Sequence, residues 1–232
     1  MTERLLEVVE AGRVPYCEAL AWQRSLAQAR IEGRLEHDLL LLLEHPPVVT
    51  LGRTARDRHL LDATGIDVVE VERGGDVTYH GPGQLVGYPI LDLTRYRTDL
   101  HWYLRTLEQA LIEALADLAI PAARHPGYTG VWTQGGRGGR KIASIGVHVK
   151  QWVTWHGFAL NVTTDLSQFD RIVPCGIAGV EMTSVEREAR CEMGDAGLWD
   201  ASLRAVIAGF ERAFGLTAYH GEPVALTGSP VL

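Results

Sequence analysis

The sequence predicts a single α/β (α+β) domain in which strands and hairpins lie between three longer helices. Three observations carry that expectation. Leu39 to Leu43 is an unbroken run of five leucines, as in a strand covered on both faces. From Asp99 onward the apolar spacing becomes helical. The strict β-α-β alternation of a doubly wound fold is missing. No repeat, low-complexity tract or linker divides residues 1–232, and a chain of that length buries about 70% of its unfolded surface.

Taken in order, Pro15 opens a helix through Leu20, Trp22, Leu26 and Ala29, and Gly33 stops it. The leucine strand ends at Glu44-His45-Pro46-Pro47, and Val48, Val49 and Leu51 resume strand character. Val68, Val69 and Val71 form a short strand before Arg73-Gly74-Gly75-Asp76. Val86, Tyr88, Ile90 and Leu93 follow a strand pattern with Pro89 inside it, which predicts an edge or bulged strand. A helix carries Leu100, Leu104, Leu107, Leu111, Ala114, Leu115 and Leu118, and Pro121 ends it. Tyr128, Val131 and Trp132 make a short strand. Ala143, Ile145, Val147 and Val149 then alternate with Ser144, Gly146, His148 and Lys150, and Gln151 turns the chain into a second strand through Trp155, Phe158 and Leu160. A last helix carries Trp199, Leu203, Val206, Ile207 and Phe210 and is capped by Gly215.

Composition narrows the function classes. A formal net charge of −7 argues against nucleic acid as the main partner, because binding that backbone requires a basic surface. No apolar run approaches the roughly 18 residues of a membrane helix. Cys17, Cys175 and Cys191 are odd in number, and the first residues lack a signal-peptide pattern, so a reducing cytoplasm is expected. Two glycine-rich passages fail as nucleotide motifs. Gly81 and Gly83 are followed by Gly87, one position late for a dinucleotide fingerprint, and Lys141 is preceded by Arg140 and followed by Ile142, which breaks the phosphate-loop pattern. No ATP or NAD site, no other cofactor and no metal site is expected.

Chemistry is expected at Pro174-Cys175-Gly176. Proline stiffens the backbone before the cysteine, and Gly176 leaves room for a carbonyl to approach. The same triplet also suits a tight turn whose cysteine fills a small hole. A nucleophilic cysteine needs a neighbour that favours its thiolate. Lys141, after a glycine loop and at the mouth of a strand, is the first candidate; His80 and His148 are its rivals.

Five segments resemble the bacterial octanoyltransferases, which move an octanoyl group onto lipoyl domains. They are LLLEHPPVVTLGR (Leu41 to Arg53), RGGDVTYHGPGQLVGYPILDL (Arg73 to Leu93), RKIASIGVHV (Arg140 to Val149), HGFALNV (His156 to Val162) and VPCGI (Val173 to Ile177). The resemblance implies the catalytic domain of the biotin and lipoate protein ligases, with a central mixed sheet, a smaller second sheet and flanking helices. It implies Cys175 as acyl-thioester nucleophile and Lys141 as the residue that lowers its pKa. It places the acyl substrate along Arg73, Gly74, Gly75, Asp76, Val77, Thr78, Tyr79 and His80, along Ser144, Ile145 and Gly146, and along Gly157, Phe158 and Ala159. The implied donor is octanoyl-acyl carrier protein; the acceptors are lipoyl domains of 2-oxoacid dehydrogenase complexes and the glycine cleavage H protein. An ATP-dependent ligase on the same fold and a non-catalytic acyl-protein binding module are the alternatives.

Overall fold

The computed structural model describes residues 4–134, 139–189 and 195–221. β1 (Leu5–Arg13) buries Leu6, Val8 and Val9 and leads through Pro15 into α1 (Tyr16–Ile31). Next come β2 (Asp38–Glu44), β3 (Val48–Leu51), β4 (Asp67–Glu70), β5 (Val77–His80) and β6 (Gln84–Ile90). α2 (Leu100–Asp117) starts where the Asp99 carboxylate accepts from the Trp102 amide. β7 (Ala122–Ala123) and β8 (Val131–Thr133) precede the long hairpin of β9 (Arg140–Lys150) and β10 (Val153–Asn161). That hairpin turns on Gln151 and Trp152, whose φ of 49° and 65° give the left-handed backbone a tight two-residue connection requires. β11 (Glu181–Met182), α3 (Val185–Glu188), α4 (Asp195–Phe214) and β12 (Thr217–His220) complete the order.

The large mixed sheet runs β12-β1-β2-β6-β10-β9-β8-β7, with β11 paired to the start of β9; β4-β3-β5 form the small sheet. The leucines of β2 divide between two cores, as an unbroken apolar strand should. Leu40 and Leu42 join Leu107, Leu111 and Phe210 beneath α2 and α4, while Leu39, Leu41 and Leu43 join Tyr88, Trp155 and the α1 residues Ala19 and Ala27 on the opposite face. Each fully buried leucine contributes about 1.5–3 kcal/mol, so β2 anchors both helical layers at once.

Pro89 is where the sequence reading of strand position needs correcting. β6 is not an edge strand: it pairs with β2 on one side and β10 on the other. The ladder to β10 starts only at Phe158↔Gly87, because His156, with φ 54°, distorts β10 beside the proline. The missing N–H of Pro89 falls at that gap, and the Thr154 hydroxyl donates to Pro89 O there. The irregularity belongs to the neighbouring strand. Tyr128 lies outside β8, and β1 and β12 are strands that apolar spacing did not reveal. Cys191 and Gly135 to Gly138, which include Arg137, lie outside the described residues.

Candidate active site

Cys175 is held in a left-handed conformation, φ 56° and ψ 20°, between Pro174 and a left-handed Gly176. For a residue with a Cβ that conformation costs roughly 1–2 kcal/mol, so the surroundings must hold it. They do so with two turn bonds, Gly176 N to Val173 O at 2.9 Å and Ile177 N to Pro174 O at 3.0 Å, and with Val173 N donating to His59 O at 2.8 Å. Gly176 has no room for a side chain: a Cβ there would lie 2.6 Å from Asp76 Oδ2 and 3.2 Å from the His59 ring.

Lys141 reaches this turn from β9, with Nζ 3.1 Å from Cys175 Sγ. The lysine is 1% exposed, and among the described residues Sγ is the hydrogen-bond partner found for Nζ. The Trp132 ring lies 5.5 Å from the ammonium. Gly130 makes space for the side chain, since a Cβ at that φ of 129° would come 2.8 Å from Lys141 Cε. Glu108, fully buried in α2, fixes Gly130 by accepting its amide. Burial pushes the Cys175 thiol up; the charge and hydrogen bond of Lys141, with Arg73 and Ser144, more than offset it and leave the thiol below its usual value. Ser144 Oγ is 3.9 Å from Sγ.

A cavity of about 210 Å³ opens beside the sulfur. That exceeds the ~150 Å³ in which an engineered apolar cavity holds a benzene. Ile145, Phe158, Ala159 and Ile177 give it apolar walls, and Tyr16, His80, Tyr88 and His156 line its interior. Tyr88 and His80 are held by side-chain hydrogen bonds. His45 Nδ1 donates to Val14 O, which leaves Nε2 to accept the Tyr88 hydroxyl at 2.6 Å. His80 Nδ1 donates to Gln84 Oε1 at 2.8 Å, because the Gln84 amide is itself spent on Tyr79 O and Asn161 Oδ1. Burial lowers both imidazoles, His45 to about 4 and His80 well below the usual range, so neither carries charge at neutral pH.

Comparison with known proteins places the chain in a family. Residues 15–207 match the family model "Lipoyl protein ligase A/B catalytic domain". An octanoyltransferase of Gloeobacter violaceus is 61% identical over 171 residues, 73% of this chain and 75% of that one. One from Acidobacterium capsulatum is 46% identical over 226 residues, 91% of each. The chain belongs to the octanoyltransferase family. It is therefore an acyltransferase of the protein-lipoylation machinery. Solved structures show the same fold at much lower identity: a lipoate-protein ligase A bound with ATP superposes at a TM-score of 0.75 with 16% identity, covering 99% of this chain and 92% of that one. A bipartite lipoate protein ligase of Thermoplasma acidophilum gives 0.73 and 18%, covering 99% and 90%.

In this octanoyltransferase-family chain, Arg73, Gly75, Asp76, Thr78 and His80 line the cavity, as do Ser144, Ile145, Gly146, Gly157, Phe158 and Ala159. Gly74, Val77 and Tyr79 do not. Gly74 N donates to Val147 O, tying the loop of residues 73–76 to β9. Val77 and Tyr79 point the other way, into a cluster with Phe169, Ile172 and Met182, as alternation along β5 requires. Arg73 is a scaffold as well as a wall, its guanidinium donating to Thr50 O at 2.8 Å and Gly74 O at 3.1 Å. His148 is turned away: its Nδ1 donates to Glu72 O and its ring lies against Trp155. Tyr16, His45, Tyr88, Glu108 and His59 were not singled out by the sequence, although His45 and Tyr88 stand inside the matching segments; His59 carried no spacing signal at all.

Proposed function

We propose that the chain carries an octanoyl group from octanoyl-acyl carrier protein to a specific lysine of lipoyl domains, those of 2-oxoacid dehydrogenase complexes and the glycine cleavage H protein, through a thioester on Cys175. The contact of 3.1 Å between Sγ and Nζ beside an acyl-sized cavity carries this reading. The thiol proton rests on Lys141, whose ammonium faces the thiolate; Sγ attacks the donor carbonyl, the carrier's carbon–sulfur bond breaks, and Lys141 gives the proton to the departing pantetheine thiolate. The acceptor amine then attacks the Cys175 thioester; its carbon–sulfur bond breaks, an amide forms, and the cysteine recovers a proton through Lys141. One thioester replaces another in the first step, so no ATP is needed. Family membership, the apolar walls and the lowered thiol support this order of events. The Gly176 amide is committed to Val173 O, so it is not the donor for the developing oxyanion.

Intact mass after mixing with octanoyl-carrier protein tests the proposal. An octanoyl adduct without ATP is expected. Transfer to a lipoyl domain that requires ATP and magnesium, without an adduct on the chain, would favour ligase chemistry on the same fold, and neither adduct nor transfer would leave a binding module.

Docking of the donor is expected to depend on charge. Arg53, Arg56 and Arg58 are exposed beside the small sheet, and Arg53 and Arg56 form no ion pair with described residues. Asp62 is bound to Arg171 at 3.4 Å rather than to these arginines, and Arg140 is paired with Glu188 at 2.8 Å. Reversing Arg56 and Arg58 to Glu should raise KM for the acidic carrier severalfold and leave a short octanoyl-pantetheine thioester little affected. Added salt should narrow the difference, since screening acts within about 10 Å at 0.1 M. Equal loss on both substrates would place these arginines in the fold or the acyl site.

A further inference from the structure

Amide formation needs more proton chemistry than Cys175 and Lys141 supply. The acceptor lysine arrives as an ammonium, and at pH 7 fewer than about one in 10³ such side chains is neutral. Within the proposed mechanism Lys141 is committed to the sulfur: it is 1% exposed and in contact with Sγ. The proton that turns the acceptor ammonium into an amine must go to a second base at the solvent side of the nucleophile.

His59 stands there. Its Nδ1 is 2.8 Å from Asp76 Oδ2, so Nδ1–H donates to the carboxylate and Nε2 keeps its lone pair. The other Asp76 oxygen accepts the Val77 amide at 2.8 Å, which fixes the carboxylate. The imidazole ring packs on Gly176, one residue from the sulfur, and the His59 carbonyl holds Val173 of the same turn. Nε2 accepts a hydrogen bond from Nε of the exposed Arg58 at 3.5 Å, the long limit of such a bond, and this exposed donor must swing aside for the acceptor ammonium to reach Nε2. The charged and titratable groups set about the ring are Asp76 from the loop of residues 73–76, Arg58 from its own turn and Cys175 from the turn packed on it. The remaining histidines close to the sulfur are unsuited: His80 and His156 line the cavity interior and are almost fully buried.

We propose that His59, oriented by Asp76, is the general base of the second half-reaction. Its Nε2 takes one proton from the acceptor ammonium, directly or through one water, and passes it to solvent; the neutral amine then attacks the acyl carbon while the bond to Sγ breaks. A base one hydrogen bond or one water from the proton it removes contributes about 10²- to 10⁴-fold. This inference rests on the Cys175 thioester proposed above, and its test separates the two.

The test measures the half-reactions apart, in wild type, His59→Gln and His59→Ala. Glutamine keeps a hydrogen bond to Asp76 and removes the base. Octanoyl-pantetheine should load Cys175 at the wild-type rate, read as intact mass. Discharge of the loaded variants onto an acceptor domain should fall about 10²-fold at pH 7. The deficit should shrink as pH rises towards the lysine pKa of about 10.4, and hydroxylamine, an amine already neutral at pH 7, should discharge variant and wild type alike. Loading and discharge falling together in both variants would make His59 a structural support of the turn and overturn the assignment. Unchanged discharge would overturn it too. Failure of wild type itself to load would overturn the thioester reading and this one with it.

Discussion

Replacing Cys175 by alanine is expected to abolish octanoyl transfer and the acyl adduct together, with the fold intact. The left-handed backbone at this position is no harder for alanine than for cysteine, because both carry a single Cβ without branching. The turn bonds that hold residues 173–177 are between backbone groups and survive the change. Stability should therefore move by about 1 kcal/mol or less, checked by thermal melting beside the mass measurement. Cys17→Ala should remain active, since Cys17 is exposed in the first turn of α1. Near-normal turnover in Cys175→Ala would end the covalent mechanism.

Lys141→Arg is expected to lose activity about 10²- to 10⁴-fold, the range of a lost general acid–base. Arginine keeps the positive charge and cannot give up its proton in a protein. The two roles of Lys141 can then be read separately. The charge that lowers the Cys175 thiol should persist in the arginine variant, so the pH at which iodoacetamide modifies the sulfur should stay low. In Lys141→Ala that midpoint should rise, because burial acts on the thiol with its opposing charge removed. The thiolate therefore forms at lower pH in wild type than in Lys141→Ala, and that advantage disappears at higher pH, where both sulfurs are ionised. An arginine variant with good turnover would reduce Lys141 to an electrostatic partner. Gly130 leaves little spare room beside Cε, so a melting curve must accompany the result.

Local pattern made much of this fold legible. The leucine run of β2, the apolar stripe of α2 and the period of two in β9 each need only neighbours in the chain to be interpreted. Pro89 was misplaced because its tolerance depends on a distortion at His156 in another strand, which no spacing reveals. Cys175 and Lys141 were legible as candidates through their motif segments, whereas their contact of 3.1 Å spans 34 residues and two structural elements. Tyr16, His45 and Glu108 escaped notice for the same reason. Each acts through bonds or packing to residues far along the chain, and a lone tyrosine, histidine or helical glutamate looks ordinary until the sheet brings its partner close.

The place of β1 in the large sheet bears on how the chain is made. β1 is flanked by β2 on one side and by β12 on the other, with Leu5 opposite Thr217. During synthesis β2 follows within a few tens of residues, but β12 emerges only after nearly the whole domain. Through most of translation β1 is thus an open sheet edge, a template for pairing with another nascent chain. Glu7 and Glu10, carried in the strand that waits, place charge on that edge, which disfavours such pairing. Pairing of Leu5 with Thr217 joins positions at opposite ends of the described residues, so completion of the sheet is expected to be a late, slow event in vectorial folding.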